Sequence, residues 1–275
     1  MKVAIQGELG SNSHMAVIEM LDNRKDVEII ACTVSAQVLA KVVSGEVDCA
    51  VLPIENSLHG SVAEHYDLLL ELPVRIDGES LLRIRHNVIA MPGVRLDAVR
   101  KVMSHPVALS QCRRYLTAHP EFEVVPFYDT AGSVKHVMEA RLRDVAGIAP
   151  ELAAKVYGAE VLLADVEDHI ENYTRFHLLR RKDAIADGSV ADANKMSLAF
   201  AIEHRPGTLV AALQRLAEAG VDLTKIESRP VLGSPWEYVF YVDVRFDTTE
   251  NAEAALAALR EHCRMVKVLG RYRAA

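Results

Sequence analysis

Three short stretches of this chain place polar side chains where an apolar run ends and a turn or helix begins. In Pro53-Ile54-Glu55-Asn56-Ser57-Leu58-His59-Gly60-Ser61, the apolar run 49–52 delivers a carboxylate, an amide and a hydroxyl in succession. Capping of a helix starting near Ser61 accounts for Ser61 but not for Glu55, Asn56 and Ser57 together. Ser104-His105-Pro106-Val107-Ala108-Leu109-Ser110-Gln111-Cys112 sets Pro106 at a helix start, whose free N–H groups suit a carboxylate; His105 reads as part of the turn. Asn172-Tyr173-Thr174-Arg175-Phe176 precedes a strand and puts a hydroxyl beside a permanently charged planar fork. Anion binding and a structural ion pair are both open to that arginine. Two weaker junctions are Gly7-Glu8-Leu9-Gly10-Ser11-Asn12-Ser13-His14 and Asp129-Thr130-Ala131-Gly132-Ser133, a glycine turn and a capped helix start. Neither carries a phosphate loop or a complete dinucleotide fingerprint.

The chemistry within reach of these residues is proton donation and hydrogen bonding to an anionic substrate. The four cysteines, Cys32, Cys49, Cys112 and Cys263, are scattered, without Cys-x-x-Cys or zinc-like Cys/His spacing. Reduced thiols, no metal and no cofactor are expected. The chain has 275 residues, half of them hydrophobic and a quarter charged, with 31 Lys and Arg against 38 Asp and Glu for a net charge of −7. That composition excludes disorder as the main theme and offers no basic footprint for a nucleic acid. No stretch reaches the roughly 20 apolar residues of a bilayer span, and Met1-Lys2 leads straight into a strand-like run, so a cytoplasmic location is expected.

The elements that must position these residues alternate strand with helix, the pattern of a largely parallel sheet. Strands are expected over 2–6, 27–33, 48–53, 84–91, 122–127, 145–149, 161–166 and 175–180, with 73–82 as a long connection. Residues 35–44 are a typical helix, stopped by Gly45. So many segments suit two α/β lobes with a cleft at the carboxyl ends of the strands, where ligands bind. Residues 182–194 lose apolar periodicity and read as a linker. Beyond it come strand 196–203, helix 207–219, strands 222–228 and 236–246, helix 250–263 and strand 265–271. That order is βαββαβ, the ferredoxin-like split unit. The expected division is therefore 1–181, 182–194 and 195–275.

Taken together, the blocks resemble the prephenate dehydratases that carry a regulatory ACT domain. The resemblance rests on Pro53 to Ser57 with Gly60, Ser104-His105-Pro106 with Gln111-Cys112, and Asn172 to Phe176. In the small domain it rests on Arg205-Pro206-Gly207-Thr208-Leu209, Ile226-Glu227-Ser228-Arg229-Pro230 and Trp236 to Asp243. It implies a two-lobed, periplasmic-binding-protein-like catalytic domain followed by a ferredoxin-like ACT domain. The implied activity is a hydro-lyase step in phenylalanine biosynthesis, the decarboxylating dehydration of prephenate to phenylpyruvate without a cofactor. The resemblance gives Thr174 the central catalytic role, surrounds the substrate with Asn56, Ser104 and Gln111, and adds Arg175 as an anion contact; Ser57, Phe176, Ser11 and Thr130 are expected as further substrate contacts. It further implies feedback inhibition by L-phenylalanine at Gly207, Thr208, Leu209, Glu227, Ser228, Arg229 and Pro230, in a homodimer or homotetramer joined through ACT domains. Asn12 and Thr208 depart from the residues common in relatives. With the first strand at its start, the chain is expected to lack the chorismate mutase that some relatives carry.

Hydroxide is a poor leaving group, so the reaction needs a proton donor. Threonine is a very weak acid and requires polarisation by neighbours such as Asn56 or Gln111. Glu55 is the rival donor, since a carboxyl in a closed cleft can hold its proton near neutrality. Arogenate dehydratase, running the same elimination on the amino acid, is the near alternative, and a non-catalytic intracellular amino-acid sensor is the alternative of another class.

Overall fold

The computed structural model describes residues 1–21, 24, 26–184, 192–231 and 237–275. In chain order its strands and helices are β1 (Lys2–Gln6), α1 (Asn12–Met20), β2 (Glu28–Cys32), α2 (Ser35–Ser44), β3 (Cys49–Asn56), β4 (Gly60–Ser61), α3 (Ala63–Glu71), β5 (Val74–Arg83) and β6 (Asn87–Ala90). They continue with β7 (Lys101–Ser104), α4 (Pro106–Gln111), α5 (Arg113–Ala118), β8 (Glu123–Pro126), α6 (Thr130–Glu139), β9 (Val145–Ala149), α7 (Glu151–Tyr157), β10 (Glu160–Leu163) and β11 (Tyr173–Arg181). The last set is β12 (Lys195–Ala201), α8 (Thr208–Glu218), β13 (Asp222–Pro230), β14 (Tyr238–Arg245), α9 (Thr249–His262) and β15 (Met265–Tyr272).

Two compact units emerge, one of residues 1–62 and 80–176, the other of residues 63–79 and 177–275. The first holds two sheets. In one, β1 pairs in parallel with β2 on one side and β3 on the other, and β11 lies beside β3. Val3, Ala4, Ile5 and the 49–52 run are fully buried, so these strands read as continuous apolar stretches, as a parallel sheet covered on both faces requires. The other sheet has the order β10-β6-β9-β7-β8, with β7 parallel to both β8 and β9 and β6 antiparallel to β9. Val88, Val102, Ala146 and Ile148 form its core with Leu109 and Cys112 of the α4 region. Gly10, at φ +87°, lets the loop after β1 approach α7: a Cβ there would sit 2.7 Å from the Ala153 Cα.

In the second unit β12, α8, β13, β14, α9 and β15 make the expected βαββαβ order, with the sheet running β13-β14-β12-β15. Met196, Leu198 and Phe200 alternate along β12 onto the helix side, where they meet Ala212 and Leu216 of α8 and Ala255 and Leu259 of α9. The opposite face is polar yet buried. Lys195 Nζ donates to both Glu79 oxygens at 3.0 and 2.9 Å, and Ser197 binds Asp243 and the Tyr272 hydroxyl.

Two expectations from the sequence change. Residues 73–82 are not a connection but most of the ten-residue strand β5, whose alternating buried positions Val74, Ile76 and Leu82 are interrupted by Gly78 and Ser80, which masked the apolar period. β7 was also missed. In the second unit residues 63–79 and 177–181 group with the elements β12 to β15. Physical ties explain this. Lys267 Nζ donates to the carbonyls of Leu69, Leu70 and Leu72 at the end of α3, and β15 runs parallel to β5 with Gly270 opposite Ile76. A Cβ on Gly270 would collide with the Ile76 carbonyl. Most of the expected linker, and Trp236 with it, lies outside the described residues.

Candidate active site

The end of β3 and the start of β11 are stitched together residue by residue. Ser57 N–H donates to the Tyr173 carbonyl at 2.8 Å, and Tyr173 N–H donates to Ser57 Oγ at 3.0 Å. Ser57 Oγ in turn reaches the Glu171 carbonyl at 3.2 Å, so this hydroxyl serves the backbone. The stitching brings Asn56, Asn172 and Thr174 into one cluster, to which α4 adds Gln111.

The amide orientations in that cluster follow from fixed backbone groups. Asn56 Oδ1 accepts from the N–H groups of Leu58 and His59, each at 3.0 Å, so its Nδ2 must face the other way. There Nδ2 lies 2.7 Å from Asn172 Oδ1, 3.1 Å from the Tyr173 carbonyl and 2.9 Å from Thr174 Oγ1. Asn172 therefore turns its own Nδ2 to Gln111 Oε1 at 3.0 Å. Gln111 Nε2 is left facing His59 Nδ1 at 3.1 Å and Asn56 Oδ1 at 3.4 Å. Thr174 Oγ1 is thus an acceptor of an amide hydrogen, and its own hydroxyl hydrogen is directed elsewhere. An N–H on the oxygen's lone pair stabilises negative charge that develops there as the proton is given away.

Asn172 is fully buried, and Thr174 and Gln111 are nearly so. Arg175, 5 % exposed at its side chain, places Nε 2.9 Å from Glu55 Oε1. Glu55 is thereby a charge partner of the guanidinium instead of a carboxyl poised alone. The fork and the carboxylate sit on adjacent strands, each one position along the sequence from Thr174 and Asn56 respectively.

Other expected residues fall outside this cluster. Ser104 is fully buried and donates its hydroxyl to the Ile148 carbonyl at 2.5 Å, a bond between neighbouring strands that explains its burial without a ligand. Phe176 is 1 % exposed and packed in the core. Ser11 caps α1, accepting from His14 N–H at 3.4 Å. Thr130 opens α6 behind its cap Asp129, whose carboxylate accepts from Gly132 N–H at 2.7 Å and whose pKa is raised by burial. Near these two, Glu8 takes the Tyr128 hydroxyl at 2.9 Å and Lys135 Nζ at 3.0 Å. Burial and that carboxylate push the Tyr128 phenol up to about 12. Among the described residues no group of three His, Cys, Asp or Glu side chains is placed to hold a metal ion.

Sequence reasoning passed over three members of the network: Asn172, His59 and His86. The first two sat inside quoted blocks. His86 had no pattern to mark it, standing between β5 and β6.

In the second unit, Thr208 opens α8 with its hydroxyl turned to the carbonyls of Glu203 and Arg205, and Leu209 packs on the core. Gly207 precedes them. On β13, Glu227 lies 3.9 Å from Lys225, Ser228 faces Phe240 of β14, and Arg229 is forked onto Asp67 at 3.3 and 2.7 Å just before Pro230.

Comparison with known proteins puts the chain in a family. The family model described as prephenate dehydratase matches residues 3–184. The chain belongs to the prephenate dehydratase family. As a dehydratase of this family it is a hydro-lyase. Arogenate dehydratase/prephenate dehydratase 2 of Arabidopsis thaliana is 38 % identical over 98 % of the chain and 72 % of the relative. The structure of prephenate dehydratase from Arthrobacter aurescens in complex with L-Phe superposes with a TM-score of 0.88, at 31 % identity, over 99 % of this dehydratase and 90 % of that chain. GqqA, described as a novel type of quorum-quenching acylase, superposes with a TM-score of 0.89 at 33 % identity, over 100 % and 98 % of the two chains.

Proposed function

We propose that the Asn56-Thr174 pair drives the decarboxylating dehydration of prephenate to phenylpyruvate, with Thr174 as the hydrogen-bond donor to the departing ring hydroxyl. Electrons from the C–C bond to the ring carboxylate enter the ring, carbon dioxide leaves, and the C–O bond breaks at the far end. The dianionic substrate yields a monoanion, carbon dioxide and water, so one proton is taken up from solvent. Aromatisation supplies the driving force, and the protein's task is to hold the substrate and assist the departing oxygen. Asn56 Nδ2 on Thr174 Oγ1 at 2.9 Å is the observation that carries this reading. Arg175, adjacent to Thr174, supplies the cation for a substrate carboxylate, with Glu55 limiting how strongly it holds. Gln111 and Asn172 position Asn56.

The second unit serves as the regulatory module in this proposal, taking L-phenylalanine at Gly207, Thr208, Leu209 and the stretch Glu227 to Pro230. The support is the βαββαβ topology together with the L-Phe complex of the Arthrobacter relative. A homodimer or homotetramer through these domains and a cytoplasmic location belong to the same proposal; all four cysteines are free thiols, and no described helix is long and apolar enough to cross a membrane. Relatives named for arogenate keep the amino-acid substrate as the alternative. Incubation of the purified protein with prephenate and, separately, with arogenate tests the reading. Phenylpyruvate formed faster than phenylalanine supports it, phenylalanine formed faster selects the alternative, and no product from either overturns both.

A further inference from the structure

Behind the cluster lies a histidine that the reaction as derived does not use. His86 is 1 % exposed, its backbone N–H held by Glu167 Oε2 at 3.0 Å and its carbonyl by Val166 N–H at 2.8 Å. Its ring Nε2 lies 2.8 Å from Gln111 Oε1, the oxygen that also accepts from Asn172 Nδ2. The fixed orientations of Asn56 and Asn172 make that Gln111 atom an acceptor, so His86 must carry its proton on Nε2. The other ring nitrogen, Nδ1, is buried with no hydrogen-bond partner. A buried polar atom left unmatched calls for an explanation, since most such atoms are paired. Protonating the ring would place a second N–H where nothing accepts it, and burial lowers its pKa accordingly.

We infer that His86 is a positioning residue for the dehydratase reaction, a neutral imidazole whose Nε2–H locks the Gln111 amide in its working orientation. The inference rests on the proposed role of Asn56 and Thr174. Rotating the Gln111 amide by half a turn would set its NH2 against two donors, His86 Nε2–H and Asn172 Nδ2, and its oxygen against two acceptors, His59 Nδ1 and Asn56 Oδ1. Without His86 the first half of that penalty is reduced to Asn172 alone, and the glutamine gains freedom to turn. Asn56 then loses a defined neighbour, and its donation to Thr174 loses register. Nδ1 is left unmatched because the donor has to be on the other nitrogen.

The test compares His86→Gln with His86→Asn in the full chain. Both variants bury an amide, but only the longer one brings an N–H to the place of Nε2. His86→Gln is expected to keep kcat for prephenate within about threefold of the parent, and His86→Asn to lose about 30-fold or more with KM little changed. His86→Leu, with folding verified by circular dichroism, should match His86→Asn. Equal kcat values for the Gln and Asn variants, or a rise in KM without a fall in kcat, would overturn the inference. Neither outcome touches the Thr174 reading, which fails separately if Thr174→Val keeps kcat within about tenfold of the parent.

Discussion

Asn56 Nδ2 reaches Thr174 Oγ1 at 2.9 Å across 118 positions of sequence, and the direction of that hydrogen bond is fixed by backbone N–H groups at Leu58 and His59. A threonine hydroxyl, unsuited to acid catalysis in water, is therefore presented with its lone pair engaged and its hydrogen available.

Replacing the donor should expose this dependence. Asn56→Asp keeps an oxygen for the Leu58 and His59 amides but puts an acceptor where Thr174 Oγ1 now receives a hydrogen. The threonine then turns its proton to the aspartate. Steady-state assays with prephenate should show kcat reduced about 10²–10³-fold, the usual scale for loss of one such donor. A kcat within threefold of the parent would mean that the direction of the bond is immaterial.

The Glu55-Arg175 pair at 2.9 Å separates charge recognition from proton donation. Arg175→Lys keeps the charge but loses the fork, and a charge-assisted bond of about 1.5–3 kcal/mol corresponds to roughly a 10- to 100-fold rise in KM. Glu55→Gln should leave kcat within about tenfold of the parent. A loss of about 10²–10⁴ there, the range expected for a general acid, would move the donor role to Glu55.

Much of the catalytic unit was legible because its signals are local. The β3 block ends an apolar run with Glu55, Asn56 and Ser57, and the helix over 35–44 carries both its stripe and its Gly45 stop. What was hidden is relational. Nothing in the types Ser104 or Phe176 says that one spends its hydroxyl on the Ile148 carbonyl and the other is sealed in the core. β5 was lost because Gly78 and Ser80 stand on the same alternate positions as Val74, Ile76 and Leu82 and break the apolar period that marks a strand. His86 is legible only once Gln111 Oε1 is known to be an acceptor.

Stability should fall on the acid side of neutrality. Burial lowers the pKa of His86, and likewise those of His14 and His105, below the ordinary 6.5. As pH drops through 6.5 the unfolded chain takes up these protons before the folded one does. The stability is therefore complete above that pH and is lost as pH falls toward the lower folded values. His86 alone contributes a slope of up to about 1.4 kcal/mol per pH unit. Thermal melts between pH 7.5 and pH 5 should show Tm decreasing below about pH 6.5, less steeply in His86→Gln. A Tm that holds level or rises over that interval would contradict buried neutral imidazoles.

The role of Thr174 is tested most directly by the kcat for phenylpyruvate formation in Thr174→Val and Thr174→Ser. Valine has the same shape without the hydroxyl, and serine restores the hydroxyl without the methyl group. The account predicts that serine retains activity within about tenfold while valine loses about 10²-fold or more, with both variants folded. Turnover by Thr174→Val within tenfold of the parent would contradict it.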